Sequence, residues 1–148
     1  MFEEIILASQ SKVRKRILEE NNINCIVNPA NIDEDMIKKS FLKEKVSPKI
    51  ISKNLAELKA NKVSKKFNDS IVLGADSVID LNGEIISKPL NRKEALKILE
   101  KLNGKKHLLI SSVCISKNGS MIWNYTEEAK LTMKNMSNLQ LNEYLKKI

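Results

Sequence analysis

Aromatic side chains are scarce in this chain, 4% of 148 residues, and arginine occurs only as Arg14, Arg16 and Arg92. Both shortages bear on the formal net charge of +8. A basic surface attracts polyanions, but binders of single-stranded nucleic acid interleave their cations with stacking rings, and no basic stretch here does so. Nucleic acid is therefore not the expected partner. Lysines spread over every expected helix suit a small polyanion such as a nucleotide. Cysteine is nearly absent too: Cys25 and Cys114 lie far apart, with no metal-ligand neighbour at useful spacing, which excludes a disulfide framework and fits reduced thiols. No apolar run approaches the roughly 20 residues of a membrane helix. A strand pattern is entered at residues 3–7 without a basic leader, so no export signal and no membrane partner are expected, and a cytoplasmic location is. The chain has neither a Walker A loop nor G-x-G-x-x-G, and no G-x-S-x-G nucleophile elbow. Its one histidine, His107, has no acid partner in sequence and reads as structural.

What is present is an ordinary globular composition, 42% apolar and 30% charged, long enough for one core. One domain over residues 1–148 is expected. Residues 4–9 read as a buried strand, followed by a helix opened by Ser9-Gln10-Ser11 and running to Asn21. Residues 25–27 form a short strand, and residues 31–35 read as an acidic loop. Ser47-Pro48 opens a long helix to about Lys66, with proline where its missing N–H does no harm. Residues 71–73 and 78–81 give two strand signals around Gly74, and Asn82-Gly83 is a strong two-residue hairpin turn. Lys88 falls on what reads as the returning strand. Asn91 caps a helix to Leu102, residues 107–116 and 121–133 make a second hairpin at Asn118-Gly119, and Ser137 caps a last helix. The order β-α-β-α-ββ-α-ββ-α predicts an α/β fold with a mixed twisted sheet, hairpins and flanking helices.

Chemistry-bearing residues stand out from this frame, each with an ordinary alternative. Asp76 lies among β-branched residues, where an acid is costly to bury without a partner; it faces a cleft or touches a cation. Ser9, Ser11 and Arg14 sit where a strand feeds a helix N-terminus, which makes an anion cradle or simply a capped helix with a solvated arginine. Glu34, beside Asp33 and Asp35, is either a solvated loop acid or a partner of Asp76 around a hard divalent cation. Lys59 interrupts an apolar helix face of Leu55, Leu58 and Val63; it snorkels or points into a cleft. Lys88 precedes Pro89, so its backbone is extended and its side chain is aimed by a rigid junction.

Taken in order, these fragments resemble the Maf family of nucleotide pyrophosphatases along the whole chain. The family's L-A-S-x-S and following P-R-R are similar to Leu7-Ala8-Ser9-Gln10-Ser11 and Lys12-Val13-Arg14. Its D-E matches Asp33-Glu34, its K-A matches Lys59-Ala60, and its G-A-D-[TQ]-V matches Gly74-Ala75-Asp76-Ser77-Val78. Its D-G-E…G-K-P resembles Asn82-Gly83-Glu84…Ser87-Lys88-Pro89, and S-G-[RK]-x-H resembles Asn103-Gly104-Lys105-Lys106-His107.

The resemblance implies a Maf/ITPase-like fold and a hydrolase, dependent on magnesium or manganese, that cuts nucleoside triphosphates between the α and β phosphates, releasing a monophosphate and pyrophosphate. Non-standard or modified nucleotides are the expected substrates. Carried over, Asp76 is the general base or metal-organising carboxylate, Glu34 shares the cation, and Lys59 and Lys88 neutralise transition-state charge. Ser9, Ser11 and Arg14 hold phosphate, while Val13 and Ser77 occupy the places tied to base choice. Arginine and threonine are expected there in relatives preferring pyrimidines, tryptophan and glutamine in those acting on 7-methylated guanosine triphosphate. Neither pair is present, so the resemblance leaves the base open. It also implies a homodimer, and relatives that continue some forty residues past the equivalent of Ile148 with a glycine- and glutamine-containing segment. That shortfall keeps a second reading in view, a non-catalytic nucleotide-binding regulator linked to cell division.

Overall fold

Alternating strand and helix signals resolve, in the computed structural model, into β1 (Ile5–Leu7), α1 (Lys12–Glu20), β2 (Cys25–Val27), α2 (Glu34–Lys43), α3 (Pro48–Ser64), β3 (Val72–Leu81), β4 (Glu84–Ile86), α4 (Arg92–Leu102), β5 (Lys106–Lys117), β6 (Ser120–Thr132) and α5 (Asn138–Lys146). The structure describes residues 4–148, so Glu3, at the expected entry to β1, lies outside the described residues. The sheet order is β2-β1-β3-β5-β6, with β4 paired to β3. β1 is parallel to β2 and β3, and β4 is antiparallel to β3. This is the expected mixed α/β architecture with flanking helices. No helix among the described residues is long and apolar enough to cross a membrane.

The chain divides into two compact units. The first takes residues Met1–Ser77 and Ser111–Glu127, the second Val78–Ile110 and Glu128–Ile148.

In the first unit, α3 is the organising helix. Ser47 caps it by accepting from the Ile50 N–H, with Pro48 at the first helical position. Its inner face carries Ile51, Leu55, Ala56, Ala60 and Val63, all fully buried, and each large apolar side chain so buried contributes about 1.5–3 kcal/mol. Val63 joins Ile6, Ala8, Ala30 and Val72 in one core cluster. The hydroxyls buried with it are satisfied: Ser116 donates to Asn61 Oδ1 at 2.6 Å, and Ser64 Oγ accepts from the Gly119 N–H at 2.8 Å. The expected break at Gly74 is absent, and β3 runs through it. A Cβ on Gly74 would lie 2.3 Å from the Ala56 carbonyl oxygen and 2.8 Å from the Ala60 nitrogen. Glycine and alanine are there because the strand and helix backbones nearly touch.

The acidic stretch 31–35 departs from expectation. Only its first part is loop, and Asp33 is the N-cap of a helix the sequence reading lacked. Its Oδ1 accepts from the Met36 N–H at 3.1 Å. Glu34 and Asp35 sit in the first turn, where carboxylates oppose the positive helix end, and half-buried Ile37 and Phe41 supply an apolar face one turn apart. Lys62 on α3 donates to the Asn31 carbonyl at 2.8 Å and ties the entry of α2 to α3.

The second unit is built on Leu81, Ile86 and Leu102, with Ile79, Ile98 and Met133 packed against them. The hairpin turns at Asn82 (φ 51°) and Gly83 (φ 91°) as expected, and Asp80 Oδ1 accepts from the Gly83 N–H at 2.6 Å. Asn91 caps α4. Ser137 and Gln140 form a reciprocal capping box on α5. Arg92 donates to the carbonyls of Leu145 and Ile148 at the end of α5. The strand expected to carry Lys88 stops at Ile86, which leaves Lys88 in the exposed connection to α4.

Candidate active site

Two groups of side chains form just past the short stretch over which β1 and β3 pair in parallel, one after the end of β1 and one within β3. Register pairs Leu7 with Leu73, so Ser9 and Asp76 follow these paired residues by two and three positions, Asp76 still within β3.

The first group is the turn from β1 into α1. Ser9 is buried, and its Oγ accepts from the Ser11 N–H at 3.1 Å and from Arg14 Nη1 at 3.2 Å. Ser11 Oγ accepts from the Arg14 N–H at 3.2 Å as the N-cap of α1. The guanidinium is thus folded back over the helix start. One of its five donors is used on Ser9, which leaves a planar fork beside the positive end of a nine-residue helix. Val13, in the first turn of α1, is 55% exposed.

The second group centres on Lys59. The near-contact of Gly74 with Ala60 brings this part of α3 against β3, so the adjacent Lys59 is 7% exposed. Its Nζ donates to Asp76 Oδ1 at 3.3 Å and to the Ala75 carbonyl at 3.2 Å. The same ammonium pairs with Glu34 Oε1 at 2.5 Å. One cation therefore joins a carboxylate from the start of α2 to a carboxylate from β3. Ser52, also buried on α3, donates to the Asp76 backbone carbonyl at 3.2 Å and fixes that strand position. Asp76 is 3% exposed, and its Oδ2 is buried without a hydrogen-bond partner among the described residues.

Burial raises the Asp76 carboxyl above its usual value; Lys59 and Lys38 pull it back down, and Glu34 pushes it up again, with burial prevailing. A carboxylate so placed holds its proton more readily than a surface acid and has one oxygen with nothing to bind.

Ser9, Ser11 and Arg14 come together at the β1–α1 turn, and Glu34, Lys59 and Asp76 come together around one ammonium. Ser77 is set apart by strand alternation: it follows Asp76 and so faces the other way, exposed, with its hydroxyl 3.0 Å from that of Ser111. Lys88 stands exposed in the second unit. Sequence reasoning missed Ser52 and Lys38. Ser52 lies seven residues before Lys59, two turns back on the same helix face, and that spacing was the available signal. Lys38 lies on a helix that the sequence reading did not assign. Among the described residues there is no cluster of three or more metal-type ligands. The available donor set is two carboxylates, one with an orphaned oxygen. Cys25 and Cys114 are both free, and burial pushes the Cys114 thiol up to about 11.

A nucleoside triphosphate pyrophosphatase from Pelagibacter ubique (strain HTCC1062) is 71% identical over 148 residues, covering all of this chain and 76% of its own length. A 7-methyl-GTP pyrophosphatase from Bartonella quintana (strain Toulouse) is 38% identical over 146 residues, 98% of this chain and 72% of its own. A HAM1 protein from Coxiella burnetii superposes with a TM-score of 0.56 over 87% of this chain and 71% of its own. At 18% identity that likeness speaks for the fold alone. The model of the Maf-like proteins matches residues 4–148, and the chain belongs to that family.

Proposed function

We propose that this protein is a nucleoside triphosphate pyrophosphatase that hydrolyses the bond between the α and β phosphates, with magnesium or manganese as cofactor and non-standard or modified nucleotides as substrates. The single observation that carries the reading is the Glu34–Lys59–Asp76 cluster, with Lys59 and Asp76 buried and one Asp76 oxygen orphaned among the described residues, in a chain whose family relatives bear pyrophosphatase names.

The chemistry follows from the donors present. Glu34 and Asp76 are the residues that would hold the cation. Two carboxylates and no protein cage suit magnesium, which is usually bound by one or two carboxylates plus substrate phosphates and water. When bound, the cation neutralises phosphate charge and polarises the bond to be cut. The protein's own groups do the rest. Arg14, Ser9 and the start of α1 bind phosphate oxygens through preorganised N–H and O–H donors. Lys59 is held by Glu34 and the Ala75 carbonyl, so it meets developing negative charge without reorganising. Asp76 orients the attacking water and accepts its proton, a role suited to a carboxyl that burial raises above its ordinary value. The role of Lys88 as a transition-state ammonium rests on its motif alone. The two free thiols fit a reducing compartment such as the cytoplasm.

The test is a panel of canonical and modified triphosphates assayed separately for pyrophosphate and orthophosphate, with Asp76→Asn and Glu34→Gln as controls. Pyrophosphate release that depends on added magnesium or manganese is expected. Orthophosphate alone from every triphosphate overturns the reading. Nucleotide binding with no turnover, unaltered in Asp76→Asn, would instead identify a non-catalytic binder.

A further inference from the structure

The geometry points to Lys38 as a second phosphate-binding ammonium of this site, one that touches the substrate's phosphate chain beside Lys59; the inference rests on the pyrophosphatase reading above. Lys38 stands four residues after Glu34 on α2, and residues so spaced share one helix face. That face points at the cluster, because Glu34 reaches Lys59 Nζ from it at 2.5 Å. Lys38 is half-buried, whereas Lys39 and Lys43 on the same helix are exposed. Its charge is felt by Asp76, whose carboxyl it pulls down.

Yet Lys38 forms no ion pair and no hydrogen bond among the described residues. Lys59 and Lys38 therefore have different tasks. Lys59 has its donors spent on Glu34, Asp76 and Ala75. Lys38 keeps all three N–H donors; its charge is felt by the Asp76 carboxyl, to which it is not bonded. A half-buried ammonium with unspent donors is costly to hold. Its cost is offset when an anion arrives, and a compact, flexible ammonium suits phosphate oxygens whose positions vary between substrates.

The experiment compares Lys38→Gln, Lys38→Arg and the neighbouring exposed Lys39→Gln by steady-state kinetics and by calorimetric binding of magnesium pyrophosphate. Removing one charge-assisted hydrogen bond should raise KM and the pyrophosphate Kd about tenfold in Lys38→Gln. Lys38→Arg should restore most of both, and Lys39→Gln should leave both unchanged. If Lys38→Gln matches Lys39→Gln, the role is overturned while the pyrophosphatase reading stands. A shift of the acid limb of the pH profile with KM unchanged also overturns it, since Lys38 would then act only through Asp76. Absence of pyrophosphate release from the unaltered protein overturns the activity and this inference together.

Discussion

Replacing Asp76 with asparagine separates the chemistry of the buried carboxyl from its packing. The side chain is 3% exposed, and Oδ2 has no partner among the described residues. Asparagine keeps the shape and leaves Oδ1 able to accept from Lys59, but it cannot take a proton from water. Loss of a general base of this kind costs about 10²–10⁴ in kcat. Stability should move the other way. Burial raises the folded carboxyl above its unfolded value, so the native state binds this proton more tightly than the unfolded chain. The contribution is fully present below the ordinary carboxylate pKa of about 4 and is lost as pH rises through the raised value. At neutral pH the ionised Asp76 is thus a burden on the fold, and Asp76→Asn should unfold at the same temperature as the parent or higher. That margin should shrink as pH falls. The parent's kcat/KM should lose activity on the acid side at a pH above the ordinary carboxylate range. Pyrophosphate release and thermal unfolding, both followed between about pH 4 and 8, check these expectations. Full turnover in the variant, or a loss of activity matched by a lower unfolding temperature at pH 7, refutes the argument.

Two further outcomes follow from packing. Gly74→Ala would set a methyl 2.3 Å from the Ala56 carbonyl oxygen, against backbone that cannot swing away, so urea denaturation should show a loss on the order of 1–3 kcal/mol; an unchanged midpoint would mean that α3 and β3 are not in near-contact. Cys114, buried and raised to about 11, should be under about one part in a thousand thiolate at pH 7.5 and inert to a disulfide reagent until the protein unfolds. Half-buried Cys25 should react first, and equal native rates would contradict this placement.

Local signals carried most of the fold because each rests on a few adjacent atoms. Ser11, Ser47, Asn91 and Ser137 all cap the helices expected of them, and Asn82-Gly83 turns where its left-handed preference requires. The misses share another cause. Asp33 was read as one acid among three, although the same residue is a helix cap when an apolar face follows, and only the packing of half-buried Ile37 and Phe41 decides between the two. Gly74 looked like a break because glycine is a poor strand former, whereas its reason is the approach of a helix seventeen residues long whose position no local pattern encodes. The same limit governed the site. Asp76, Glu34 and Lys59 were each visible as unusual residues, but their meeting depends on that approach. Ser52 and Lys38, buried or half-buried polar groups on helices, matched no motif at all.

The charge of the cluster bears on what it can attract. Glu34 and Asp76 share one ammonium, so the three groups together are net negative when both acids are ionised and would by themselves repel a polyanion. Attraction must come from elsewhere, and the ammonium of Lys38, whose charge Asp76 feels, is one source. On the proposed reading, a net negative cluster is a poor site for a bare phosphate chain and a better one for a chain already carrying a divalent cation. On this reasoning Lys59 is a counter-ion rather than the attractor. It keeps two acids side by side, where their mutual repulsion would otherwise force one to stay protonated or turn away.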